Sequence, residues 1–424
     1  MQSDTLFTGV RIVADGVDVV GDLLLRDGVI ADFGVSLGRP AGAVVVHEDG
    51  AVLCPGLVDI RVSLGEPGFE YRETIATAVV AASAGGVTTL AALPDSDPAI
   101  DDPALVHMLI TRGRETGAVT ILPYGAATKG CLGEELAELG LLREAGAVAF
   151  TDGTRAIASS GMMRLVLSYA RGFGARIVQH PEDPSLARGG SASEGELAAR
   201  LGLPGIPAAA EAILIARDIS LARLTGGAVH FAHVSTFDGL ELIRRAKAEG
   251  LFVTCDTAPP YFDLNENAIG DYRTYAKLSP PLRREDDRRA VLAGLADGTI
   301  DAIASDHQPR DADDKRLPFA QASAGGVGLA TLLAVTLAHV HNGELTLGTA
   351  IGLLTRGPAG LMGIDSGRIA KGAPGDVCLF HPERIWKVRD GSLPGKAQNT
   401  PFDGRALEGT VLGTWKAGRR VYRG

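Results

Sequence analysis

Two textures of apolar and polar positions divide this chain. Between about residue 52 and residue 364, short apolar runs alternate with longer stretches of helical period. The run 52–60 is almost wholly apolar and is interrupted by Pro55-Gly56, which suits a buried parallel strand. Residues 74–84 form a small-residue helical run closed by Gly85-Gly86, and 87–93 reads as a second buried strand stopped by Pro94. Strand, loop, helix and strand make a βαβ unit, and the loop after the first strand is where such units place chemistry. Further strands are predicted at 120–124, 147–150, 176–179, 228–233, 252–256 and 302–305. Helical runs lie between them, for example at 104–116, 161–170, 208–224 and 237–249. About eight such units favour an α/β fold of the closed (β/α)8 kind over an open sheet.

The two ends have the other texture. Residues 4–50 and the stretch from about 367 onward read as short strands, with Asp27-Gly28 and Asp49-Gly50 as hairpin punctuation. Two strand-rich tails around an α/β middle predict one small β-domain assembled from both termini. On this reading segments 1–52 and 365–424 flank a barrel over 53–364. Segment 310–324 is polar and rich in Gly and Ala, and reads as a mobile loop that is either a substrate lid or a plain connector.

Composition narrows the class. At 424 residues the chain is long enough for a large barrel plus a smaller domain. A net charge of −10 argues against a nucleic-acid binder, which would carry a basic face. No apolar run reaches the roughly 18 residues of a membrane span, and the first residues lack a basic stretch followed by an apolar one, so a cytoplasmic protein is expected. The four cysteines, Cys54, Cys131, Cys255 and Cys378, are far apart and form no CxxC pair, so buried reduced thiols are expected.

The loop after the first strand carries a specific pattern. PGLVD-x-x-V-x-L-x-EPG, followed by ET, AGG and TT, resembles the amidohydrolase superfamily and, within it, the dihydroorotases of pyrimidine biosynthesis. The resemblance runs almost to the last residue, and it implies a TIM-like barrel beside a β-sandwich. In that family the first strand ends in a zinc-binding His-x-His, and an Arg two residues later grips the substrate carboxylate. The matching positions here are Arg61, Ser63 and Gly65. A guanidinium stays protonated and offers no lone pair to a metal. GAVAFTDG matches a segment whose second Asp bridges the metals, which places Gly153 on the ligand position and Asp152 beside it; a one-residue slip would instead offer Asp152.

Part of the family's centre remains. QHPED retains one metal-binding His as His180, HFAHVST another as His233, and AIASDHQPR retains the ligand and general base as Asp306. Two imidazoles and one carboxylate are a partial zinc site at best, since catalytic zinc ordinarily takes three protein ligands plus water. Asp306 is then a vestigial base. The alternative is that the three are residual polar groups bonded among themselves or to Arg61, whose fixed charge would stand in for the missing metal. The substrate pocket is altered as well: Asp95, Ser279 and Arg310 stand where the family has Asn, Asn and His. Lys129 matches no ligand position and reads as a solvated lysine, and GGVTTL reads as a helix-to-strand turn rather than a phosphate loop.

Two functions follow from the resemblance. The first is a non-catalytic dihydroorotase-like chain that supports the assembly of aspartate carbamoyltransferase, with no cofactor, as part of an oligomer. The second is an active dihydroorotase or related cyclic-amide hydrolase working with a reduced zinc site. The lost ligands, clamp and pocket amides favour the first.

Overall fold

The computed structural model describes residues 4–389 and 391–424. It is a (β/α)8 barrel with a β-sandwich built from both ends of the chain. The barrel strands Leu57–Val62, Val87–Ala92 and Thr120–Pro123 pair in parallel. A second parallel set runs through Phe150–Thr151, Arg176–Gln179, Ala228–Phe231, Val253–Thr257 and Ala302–Ile303. The two sets join at both seams. Val148 N donates to Pro123 O, and Ser63 N donates to His307 O at 2.9 Å while His307 N returns a bond to Arg61 O. The barrel strands are buried on both faces, Leu57–Val62 and Val87–Ala92 at every position, as a closed parallel sheet requires.

The helices follow their sequence signals. Thr74 caps the helix Ile75–Ala84 by accepting from Thr77 N, and Asp102 caps Pro103–Thr116, whose first-turn proline needs no donor. Both lie within a residue of their predicted bounds.

The apolar run 52–60 is two strands, not one. Val52–Pro55 pairs with Val377–Lys387 in the sheet of the termini, and Leu57–Val62 opens the barrel. The break falls at Gly56, whose N–H donates to Asp376 O. A Cβ there would collide with the Thr88 side chain, so only glycine lets the chain pass from one sheet to the other at this point. The eight-stranded terminal sheet folds round on itself: the strand Val29–Gly34 and the turn at Gly418 both bond to segment 372–375. Its interior holds Phe7, Ile12, Leu23, Leu53, Val377 and Trp415.

Segment 310–324, expected as a mobile loop, is instead tied down. It contains the short helix Ala312–Arg316, and the Lys315 ammonium is buried against the carbonyls of Thr274, Lys277 and Ser323. All four cysteines are free and buried, and Cys54 and Cys378 sit opposite one another across paired strands. Among the described residues no helix is long and apolar enough to cross a membrane.

Candidate active site

The residues that the sequence singles out converge at the C-terminal ends of the barrel strands. Arg61 and Ser63 end the first strand. Asp95 follows the second, Gly153 the fourth, His180 the fifth, His233 the sixth and Asp306 the eighth. This is the end at which such barrels carry chemistry.

Arg61 is the centre of the cluster. It is 1% exposed, and its Nε donates to Asp306 Oδ1 at 2.8 Å. One terminal nitrogen donates to Gly153 O at 3.1 Å, and the other is buried without a partner. The guanidinium therefore spans two positions that the resemblance assigns to metal ligands. Asp306 also accepts from Gln308 Nε2 at 2.9 Å and lies 3.5 Å from the Tyr261 hydroxyl. Burial raises the Asp306 pKa, but His233, Arg61 and Gln308 together outweigh it and hold the group below the ordinary carboxylate range. A carboxylate held so firmly ionised is a weak base, so general-base chemistry is poorly served.

The two histidines are bonded to each other. His180 Nδ1 and His233 Nε2 lie 2.8 Å apart. One of these nitrogens carries the shared proton and the other accepts it, so neither lone pair is left for a metal, which would need both rings unprotonated at that edge. The other nitrogen of His233, Nδ1, lies 3.3 Å from Asp306 Oδ2 without a hydrogen bond's alignment. Burial, His233 and Arg61 lower the His180 pKa well below the usual value, so it stays neutral. The donors thus form a chain, not a cage: His180 to His233, then Asp306, then Arg61. Among the described residues no three His, Cys, Asp or Glu side chains are arranged to hold a metal ion. The residues present do not fit the zinc centre that the resemblance implies.

The remaining positions are absorbed locally. Ser63 Oγ donates to Asp95 Oδ2 at 2.8 Å. Burial raises the Asp95 pKa, with Ser63, Arg61 and Arg310 opposing. The Asp152 carboxylate accepts from Thr128 N and Oγ1 at 2.9 and 2.6 Å, so it is turned to Thr128 rather than paired with Arg61. Ser279 Oγ stands 3.5 Å from Glu182 Oε1, and Arg310 Nε donates to Ala324 O. Lys129 is exposed and paired with Glu135. Gly65 has φ +74°, and a Cβ there would collide with the Glu73 carbonyl. The loop has closed over the place where a clamp side chain would begin.

Sequence reasoning missed three supports. Asp59 is fully buried and accepts from the N–H groups of Arg61 and Ser305; burial pushes it up to about 6. Asp256 holds the His233 N–H at 2.7 Å and His230 Nε2 at 2.8 Å, fixing the sixth strand's end. An Asp closing an apolar strand was a visible signal. Gln308 sits two residues beyond Asp306, and nothing in its spacing marked it as an Asp306 donor.

Relatives agree with this architecture. Residues 50–239 match a family model described as Dihydro-orotase-like. The chain is 44% identical over 410 residues to the protein named Dihydroorotase of Pelobacter propionicus, covering 97% of each. It is 42% identical over 420 residues to the Dihydroorotase of Citrifermentans bemidjiense, covering 99% of each. Its fold is like that of the L-hydantoinase from Arthrobacter aurescens, with a TM-score of 0.88 at 24% identity over 100% of this chain and 96% of that one. The dihydropyrimidinase from Brevibacillus agri gives 0.83 at 21%, over 99% and 95%. These two likenesses speak for the fold. The near full-length identity to the curated relatives speaks for more, and the chain belongs to the dihydroorotase family.

Proposed function

We propose that this chain is a non-hydrolytic member of the dihydroorotase family and serves pyrimidine biosynthesis as a structural partner of aspartate carbamoyltransferase. One observation carries the first half of this reading: the Arg61 guanidinium bridges Asp306 and the Gly153 carbonyl, where hydrolysis would need a Lewis acid. A fixed cation neutralises the carboxylate but cannot polarise a substrate carbonyl as an open metal site does. Gly65 supplies no carboxylate clamp, and Asp95 places a carboxyl where a neutral amide would meet an anionic substrate. Each lost electrostatic group typically costs roughly 100- to 1000-fold in rate.

The partnership is supported by the family resemblance and by a scaffold kept intact around the altered site. A lasting structural role needs an obligate interface of roughly 2,000 Å² or more. The test is co-expression with the aspartate carbamoyltransferase of the same organism, followed by size exclusion and a dihydroorotate turnover assay. A single co-eluting complex and no turnover by this chain alone are expected. Separate elution at micromolar concentration, with turnover that responds to zinc, would replace this reading with the second: a hydrolase with a reduced metal site, which the close His180, His233 and Asp306 grouping favours.

A further inference from the structure

A cavity of about 380 Å³ lies beside the barrel-end cluster: Arg61, His180, His233 and Asp306 do not line it, and of the altered substrate-pocket positions Asp95, Ser279 and Arg310 it takes in Arg310 alone. Its walls carry five cations, Arg72, Arg310, Lys315, Arg316 and Lys396, and one carboxylate, Asp311. This is a reversal of the chain's overall balance of −10. Among the described residues, Arg72, Arg310, Lys315 and Lys396 have no carboxylate within salt-bridge distance; Arg316 pairs with Asp313. Like charges gathered without counter-charges destabilise a fold unless something else selects them.

Lys315 is turned to the carbonyls of Thr274, Lys277 and Ser323, and burial lowers it to about 7; Arg72, Arg310 and Lys396 are held in place as charged groups on the cavity wall. Arg72 stacks over the rings of Phe69 and Tyr71, at 4.5 and 5.1 Å from their centroids, and its Nε is buried without a partner. Arg310 Nε is fixed by the Ala324 carbonyl at 2.6 Å and its backbone N–H by Asn399 Oδ1. Lys396 Nζ reaches the Glu70 carbonyl at 2.7 Å. Burial lowers the Arg310 pKa and Arg72 lowers it further, with Asp95 and Asp314 opposing, so the two guanidinium groups repel one another across the gap. On the far side of Arg72 and Arg310 lies a cavity of about 590 Å³ lined by Asp95, Asp97, Asp101 and Asp152. Arg72 and Arg310 border both cavities, but the second also carries four carboxylates against the first's one, so an anion at this face is favoured in the first.

We propose that the cationic cavity is a binding site for a small phosphate-bearing anion, independent of whether the barrel end hydrolyses anything. Paired guanidinium groups match the geometry of phosphate oxygens bidentately, and ammonium groups such as Lys396 add point charge. The volume is within the range of small-ligand pockets and exceeds what one phosphate ion fills.

Isothermal titration calorimetry on the full chain at constant ionic strength tests this, with inorganic phosphate, pyrophosphate and uridine monophosphate as probes. Saturable binding of at least one probe at one site per chain is expected. Arg72→Gln and Lys396→Gln should each weaken it by roughly tenfold or more, the scale of one charge-assisted hydrogen bond. Arg155→Gln, on the acidic cavity, should leave it unchanged. Circular dichroism melts confirm that each variant folds. Tighter binding of the nucleotide than of phosphate assigns an organic phosphate; equal binding assigns the free ion. Absence of saturable binding by all three probes, or binding indifferent to both Arg72→Gln and Lys396→Gln in folded protein, overturns the proposal.

Discussion

Replacing Arg61 with methionine tests the account of the barrel end directly. The ion pair is buried on both sides, with the guanidinium 1% and the Asp306 side chain 9% exposed. Removing one member of a buried pair leaves an uncompensated charge and costs ~3–5 kcal/mol, whereas replacing both members is often close to neutral. Arg61→Met should therefore lower stability at pH 7 by ~3–5 kcal/mol, and Asp306→Asn alone by a similar amount, because it strands the guanidinium. The double variant Arg61→Met/Asp306→Asn should recover at least ~2 kcal/mol relative to the sum of the singles.

The loss also has a pH signature. In the parent chain Asp306 is depressed below its unfolded value, so its stabilisation is complete above about pH 4 and fades as pH falls below that. Without Arg61 the desolvation that now opposes the depression wins ground, and the Asp306 pKa rises. The deficit of Arg61→Met should then shrink as pH falls from 7 toward 4, because a protonated Asp306 no longer needs the cation. Urea unfolding followed by far-UV circular dichroism measures this. Fluorescence is less suited, since both tryptophans, Trp386 and Trp415, lie in the terminal sheet. A cost below ~1 kcal/mol at pH 7, or a double variant no more stable than additivity predicts, would refute the reasoning.

Three further outcomes are expected. Protein purified without added metal should carry well under one zinc per chain by atomic emission, and Arg61→His/Ser63→His should bind no more than a trace, because Gly153 supplies no side chain and has φ +70° with Asp95 Cβ 3.1 Å from where its own would stand; two metals surviving dialysis against a weak chelator would contradict this. Gly65→Arg, which restores the family's clamp residue, should destabilise by roughly 2–4 kcal/mol, because it forces a side chain into positive φ and against the Glu73 carbonyl; a neutral effect in chemical denaturation would show that the loop opens freely. Asp59→Asn should stabilise by roughly 1–3 kcal/mol above pH 6, since Asp59 is raised to about 6 and its favourable protonated state is lost as pH rises from about 4 through 6. That gain should vanish at pH 4, and a gain independent of pH would exclude Asp59 titration as its source.

The sequence by itself determined the strand-and-helix alternation and the terminal β-texture, and its family resemblance implied the loss of ligand chemistry at Arg61, Ser63 and Gly153 and of the clamp at Gly65. The first two are legible because they rest on local facts, period and turn residues; the third needs the resemblance to name the positions, after which a side chain's lone pairs decide. The resemblance also pointed to an attraction between Arg61 and Asp306, by placing opposite charges at one centre. What only the tertiary structure decided is where each group's bonds go. Arg61 and Asp306 are 245 residues apart, and their pairing depends on the barrel closing at Val62 and His307. The same closure buries Asp59 under the seam, while the pairing of neighbouring strands turns Asp152 to Thr128 and bonds His180 to His233. The split of run 52–60 at Gly56 was hidden for the same reason: both halves are equally apolar, and only contact with Thr88 and Asp376 shows that they belong to different sheets. Periodicity reports that a residue is buried; the partner it is buried against is set by chain segments that the local pattern does not contain.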